Sequence, residues 1–215
     1  MRGKKLVVAG VALLTFAGLN GGALASPKKP KAKPRPRPTE VRVALPEGES
    51  NPMIANGVGV GHAVTTYTAS GTGPAGTNAS APAGTPERYI GFPGGTLPPG
   101  VTITEAQGLN ALEQLGANLK AVGLTHRDVI SMRVYLANPP GEETADFAGW
   151  NRAYRQYYAN VDLKTHKVVK VPLGGAPPAD PLYVNPARPS RVALEVENLP
   201  VAGWLVEVEA VAAYR

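Results

Sequence analysis

The chain has 215 residues, a formal net charge of +6, 25 Gly, 22 Pro and no Cys. An apolar fraction of 43% supports one core rather than two. The lack of Cys excludes a disulfide framework, thiol nucleophiles, thiolate metal sites and a lipoprotein anchor, and His62, His126 and His166 lack ligand spacing, so no zinc site is expected.

The elements follow in chain order. A basic start, an apolar run from Leu6 to about Leu19 and Ala23-Leu24-Ala25 read as a secretory signal peptide over residues 1–25, so the protein is expected to be exported. Ser26 to Pro38 alternates proline with bases, and residues 26–40 are read as a linker. This segment is either a plain spacer or a cationic tether that contacts an anionic envelope surface. Residues 1–38 hold nine of the 22 bases and no acid, which leaves 13 bases against all 16 acids beyond them. Nucleic-acid binding by the folded part therefore lacks its usual electrostatic basis.

Residues 41–215 form the predicted domain. Strands are expected at Val41–Leu45 and His62–Ser70, followed by a long Gly/Pro loop from Thr72 to Thr102. Thr104-Glu-Ala-Gln107 matches a capping box. Leu109, Leu112, Leu115, Leu119 and Val122 recur at helical spacing until Gly123 stops the helix. Val129–Leu136 is a strand with Ile130, Met132, Val134 and Leu136 on one face. A second helix is expected over Thr144–Asn160, with Phe147, Trp150, Tyr154 and Tyr158 as its buried stripe. After a second Gly/Pro stretch, Arg191–Glu197 and Leu205–Ala213 close the chain as strands. The order ββαβαββ predicts an α+β fold, one mixed sheet with both helices on one face.

Period two puts Val192, Leu194 and Val196 on one face, and Val206, Val208 and Ala210 on another; these sets are expected to meet the helices. The opposite face then carries Arg191, Ala193, Glu195 and Glu197 on one strand and Leu205, Glu207 and Glu209 on the other. Such a face is either solvated or lines a polar cavity between subunits. Asn151 sits on the apolar stripe of the second helix, where an unpaired amide costs about 1–3 kcal/mol. It reads as a structural bridge or as a site residue.

These residues resemble the RidA/YjgF family of enamine/imine deaminases. Tyr67-Thr-Ala-Ser-Gly71, Gln107 to Leu124, Asp128 to Leu136, Asp146-Phe147 and Asn151 to Tyr158 resemble successive family stretches. Pro189-Ser-Arg191-Val-Ala-Leu-Glu195-Val-Glu-Asn-Leu199-Pro200 is similar to the family's arginine signature, and Glu207-Val-Glu209-Ala-Val-Ala212 to its closing strand. Arg188 and Arg191 compete for the signature arginine; counting back from Leu199-Pro200 favours Arg191.

The resemblance implies a chorismate-mutase-like fold, a homotrimeric barrel with clefts between subunits, and hydrolysis of 2-aminoacrylate-type enamines and imino acids to 2-keto acids. It assigns the substrate carboxylate to Arg191, water activation to Glu207, and further substrate contacts to Ser70, Gly71, Ala193 and Asn151, and it implies that no metal or cofactor is required. A symmetric hairpin would set Glu207 opposite Glu195, so Arg191 and Glu207 would meet diagonally, through a bulge or across a subunit boundary. Met53 stands where members often carry Tyr, whose contact Tyr67 or Tyr89 would then supply. The loop ending at Pro189 is expected to overhang the cleft. A non-catalytic exported module that binds a small ligand on the same trimer is the alternative.

Overall fold

The computed structural model describes residues 35–214; the predicted signal peptide and most of the linker lie outside them. The compact unit begins at Arg35. Glu40, placed in the linker, accepts from the Arg37 amide at 2.8 Å, and its carbonyl accepts from Gly61 at 2.8 Å.

Among the described residues six strands and two α-helices follow: β1 (Val41–Ala44), β2 (Gly57–Val60), β3 (Thr66–Thr72), α1 (Ile103–Ala121), β4 (Val129–Ala137), α2 (Phe147–Tyr157), β5 (Ser190–Val196) and β6 (Val206–Ala213). The expected mixed sheet with two helices on one face is present, in the order β3-β6-β4-β5. β3, β6 and β4 are antiparallel, whereas β5 runs parallel to β4. A parallel pair needs a crossover, and α2 with its long following loop supplies it. β5 and β6 are therefore not a hairpin, because β4 lies between them.

The first predicted strand lies outside this sheet. β1 pairs with β2 in a separate ribbon. β2 reads Gly57-Val-Gly-Val60, and glycine is so depleted in strands that composition hides it. Gly59 is nonetheless suited to its place, since a Cβ there would stand 3.0 Å from the Pro36 ring.

Met132, Val134 and Leu136 of β4 and Val206, Val208 and Ala210 of β6 meet Leu112, Leu115 and Leu119 of α1 and Trp150 and Tyr154 of α2, all 2% exposed or less. α1 begins two residues earlier than the predicted box: Thr102 accepts from the Glu105 amide at 3.1 Å. Thr102-Ile-Thr-Glu105 matches the motif as well as Thr104–Gln107 does, and burial of Thr104 and Gln107 decides between them. α2 is shorter than expected, capped by Asp146 on the Gly149 amide at 2.7 Å. Phe147 is 38% exposed and leaves the predicted stripe.

Buried amides and one ion pair hold the two long loops. Asn110 receives the Ala75 amide (3.0 Å) and donates to the Ala75 and Tyr89 carbonyls, and Gln107 donates to Pro86 and Gly203. Glu105, fully buried, pairs with Arg152 at 2.8 Å and accepts from Gly174 at 2.9 Å. Gln156 donates to the Pro172 carbonyl and accepts from Leu182. The second loop is therefore fastened over the helical layer.

His126 is 5% exposed, with Nδ1 2.7 Å from the Tyr158 hydroxyl and the Tyr157 and Tyr183 rings beside it. Burial pushes its pKa down from 6.5 to about 4. Between those values the unfolded chain binds a proton that the native state does not, so stability falls as pH falls through this window, by about 3 kcal/mol in total. Urea unfolding at pH 7.5 and pH 4.5 should show that loss, and His126→Gln should flatten the slope whatever its effect at neutral pH.

Candidate functional site

The two ends of the candidate site are built on opposite faces of the sheet. On β5, Val192 and Leu194 are 42% and 47% exposed, while Ala193 packs towards the core. Arg191 and Glu195 point the same way as Ala193. This reverses the predicted faces of β5. Hydrophobicity alone favours Val192 and Leu194 for the interior, but β5 is the edge strand, and Arg191 and the exposed Glu195, on the helix side, each find a hydrogen-bond partner. Glu195 accepts from the Ala145 amide at 2.9 Å. Arg191 Nη2 donates to Asn151 Oδ1 at 2.8 Å.

Asn151 and Tyr154, three residues apart on α2, form the floor beneath that arginine. The guanidinium carbon lies 4.3 Å from the centre of the Tyr154 ring, a cation–π contact. Met53 Sδ is 3.7 Å from Nη2. Nη1 is buried and has no hydrogen-bond partner. The guanidinium has no salt-bridge partner among the described residues, and burial draws its pKa down. Asn151 thus orients the arginine rather than standing alone.

Arg188 is a different kind of arginine. It is 3% exposed and donates to the carbonyls of Pro52 (3.1 Å), Pro186 (2.5 Å) and Val161 (2.6 Å) and to Asn51 Oδ1 (2.8 Å). Burial lowers its pKa to about 10. Its donors are engaged in holding chain segments together, which leaves Arg191 as the arginine with donor capacity to spare.

Glu207 lies on the outer face. In register, Tyr135 stands opposite Glu207 and Arg133 opposite Glu209. Glu209 is paired, with Arg133 Nη1 at 3.4 Å and the Tyr135 hydroxyl at 3.3 Å. Glu207 makes no hydrogen bond among the described residues. Its carboxylate rests over Gly71, where a Cβ would stand 1.8 Å from Oε1. Ser70 and Gly71 form a β-bulge, two residues facing Glu209 alone between the Ala69–Ala210 and Thr72–Val208 pairs. Burial, then the Glu209 charge, raises the Glu207 pKa.

Ser70, Gly71 and Glu207 thus make one half-site, and Arg191, Ala193 and Asn151 another. Because the halves lie on opposite faces, neither a diagonal contact nor the bulge brings Arg191 to Glu207 within one chain. Cavities of about 510 Å³ beside the Thr102 and Asp146 caps and about 380 Å³ beside Arg127 and Arg188 contain neither group. The apolar stripe of α2 predicts only a core role for Tyr154, and its spacing of three from Asn151 is the sequence sign of a second one. Tyr67 packs against the core and Tyr89 lies edge-on to Trp204 at 6.3 Å. Among the described residues, no group of three or more His, Asp or Glu is placed to hold a metal ion.

No protein of curated function matches the chain. Solved structures to which it is similar include the Rid-family protein YyfB of Yersinia pestis, 20% identical, spanning 81% of this chain and 98% of that one, with a TM-score of 0.43. E. coli TdcF, solved with bound serine, is 21% identical over 81% and 94%, with a TM-score of 0.40. A YjgF-family member from Mycobacterium tuberculosis is 18% identical over 81% and 100%, with a TM-score of 0.39. The family model described as Endoribonuclease L-PSP matches residues 95–214, from the approach to α1 through the end of β6. That match takes in more than half of the sequence, and the chain belongs to the Endoribonuclease L-PSP family, also called the YjgF/RidA family.

Proposed function

We propose that this protein hydrolyses reactive enamines and their imino-acid tautomers to 2-keto acids and ammonia, in clefts shared by adjoining chains of a homotrimer. The observation that carries this reading is the Arg191 guanidinium, aligned by Asn151 and Tyr154 and without a carboxylate partner among the described residues. A guanidinium so placed suits a small carboxylate, which it can hold through two parallel charge-assisted bonds. Glu207, with its raised pKa, suits proton transfer to and from water.

In the proposed reaction Arg191 fixes the carboxylate. Glu207 takes a proton from water as the oxygen adds to the imine carbon. Glu207 returns that proton to the nitrogen, giving a carbinolamine; the carbinolamine hydroxyl then passes its own proton through the same carboxylate to the nitrogen as the C–N bond breaks, ammonia leaves, and the carbonyl of the keto acid forms. The opposite-face placement of Arg191 and Glu207 supports a cleft that takes each from a different chain. Exposed Val192 and Leu194 on the edge strand β5 supply apolar surface for such a contact. The acid excess beyond residue 38 disfavours a polyanion such as RNA as substrate. The leader expected at residues 1–25 would carry this chemistry out of the cytosol.

The test uses residues 26–215, with a serine or threonine dehydratase generating the imine and semicarbazide trapping what survives. Wild type should speed imine loss. Arg191→Ala and Glu207→Gln should each fail alone, and refolding the two together should restore roughly a quarter of the sites, the share of random interfaces that join an intact arginine to an intact glutamate. No acceleration by folded wild type would leave the ligand-binding alternative. No recovery in the mixture would remove the shared cleft.

A further inference from the structure

We propose that Met53 is an oxidation site whose sulfoxide occupies Arg191 and shuts the carboxylate anchor. The backbone around Met53 is fixed. Its carbonyl accepts from the Tyr154 hydroxyl at 3.1 Å, and Arg188 holds the Pro52 carbonyl and the Asn51 side chain. Two residues on, the Ala55 amide donates to the Pro189 carbonyl at 3.3 Å. The side chain is unbranched, and its sulfur lies 3.7 Å from Arg191 Nη2.

A thioether is a weak acceptor for Nη2, and Nη1 of the same guanidinium is buried without any partner. The guanidinium therefore has donor capacity in the place where Met53 offers almost none. One oxygen on that sulfur changes this balance. The sulfur lone pair attacks an oxygen of a peroxide, the O–O bond breaks, and water or an alcohol leaves with the proton. Sulfur is oxidised by two electrons and the peroxide is reduced. The sulfoxide oxygen projects one bond beyond the sulfur and is a strong polar acceptor, suited to the guanidinium N–H groups that a substrate carboxylate would take. The methionine would then be an internal competitor for the anchor, and its reduction would release the arginine.

The chain supplies its own control. Of the two methionines among the described residues, Met53 is half-buried at the site, whereas Met132 is 1% exposed. Met132 is also the cross-strand neighbour of Arg191 in the β4–β5 register. Both lie close to the same arginine, and only Met53 is open to solvent.

The consequence for substrate rests on Arg191 being the carboxylate anchor, but the oxidation and the masking of the arginine do not. The test therefore reads the arginine directly. The folded mature chain is treated with hydrogen peroxide, oxygen gain at each methionine is followed by peptide mass spectrometry, and Arg191 is labelled with phenylglyoxal before and after. Met53 should gain one oxygen while Met132 does not. Arg191 labelling should then slow roughly tenfold, as expected when a charge-assisted bond engages the guanidinium. Methionine sulfoxide reductase should restore the rate, and in Met53→Leu peroxide should leave it unchanged. Resistance of Met53 equal to that of Met132 overturns the proposal, as does an oxidised Met53 with undiminished labelling. Neither readout involves imine hydrolysis, so failure of the deaminase reading would appear separately.

Discussion

Arg188→Ala should unfold the protein under mild urea, while Arg191→Ala should leave a folded chain that no longer holds a carboxylate. The two arginines are three residues apart and differ in what each leaves behind. Removing Arg188 orphans the acceptors of Pro52, Pro186, Val161 and Asn51. At about 1–3 kcal/mol for each buried unpaired group, less what entering water recovers, the loss is about 4 kcal/mol. That is a large part of the roughly 5–15 kcal/mol that keeps a domain folded. Removing Arg191 frees one side-chain acceptor on Asn151 and one cation–π contact, but also relieves a buried donor that has no partner. The net change in stability should be within about 1 kcal/mol. Binding should suffer far more: loss of a paired guanidinium–carboxylate contact weakens 2-oxobutanoate binding and kcat/KM by roughly a hundredfold. Arg191→Lys should not rescue it, since a lysine cannot lie flat on Tyr154 while donating in two directions. Urea midpoints and calorimetric titration separate the two effects. Equal destabilisation by both variants would mean that Arg191 is structural too.

The contrast between these arginines also marks what the sequence could and could not reveal. Helical spacing in Leu109–Leu119 and alternation in β4 and β6 are dictated by one buried face each, so they could be read directly. Arg191, Asn151, Glu207 and the Ser70–Gly71 strand end could be proposed as a site only through the family resemblance. Their grouping could not be read. Period two says which residues share a face, not which face turns inward, and on an edge strand the hydrophobic vote misleads because Asn151, Tyr154 and Ala145 satisfy polar groups inside. The insertion of β4 between β5 and β6 depends on contacts far apart in the chain, which no local pattern records. β2 escaped for the opposite reason: its glycines suppress the local signal, although the ribbon uses the absence of a side chain at Gly59. Arg188 looked like a rival only because its role is defined by carbonyls, which every residue carries.

The bulge under Glu207 makes a second strong effect expected. Gly71→Ala should cut turnover by roughly a hundredfold, within the range for loss of general acid–base assistance, while leaving 2-oxobutanoate affinity at Arg191 unchanged. The backbone at Gly71 is not in the left-handed region, so alanine adds no conformational strain there. The three atoms nearest its methyl all belong to Glu207: Oε1 at 1.8 Å, the carboxyl carbon at 2.9 Å and Cγ at 3.4 Å. A carboxylate at the end of a flexible side chain can rotate away, so the strand survives while the acid–base group is displaced. Gly73, two residues along, is the useful contrast. A methyl there would lie 2.3 Å from the Trp204 ring, which is rigid and stands edge-on to Tyr89. Gly73→Ala should therefore loosen the first long loop and lower the urea midpoint, with Glu207 left in place. If Gly71→Ala instead weakened carboxylate binding and spared turnover, the carboxylate would sit over β3 and the assignment of roles to Arg191 and Glu207 would be reversed. A kcat loss at unchanged binding would make the bulge the seat of water activation, and the same steady-state measurement distinguishes the two.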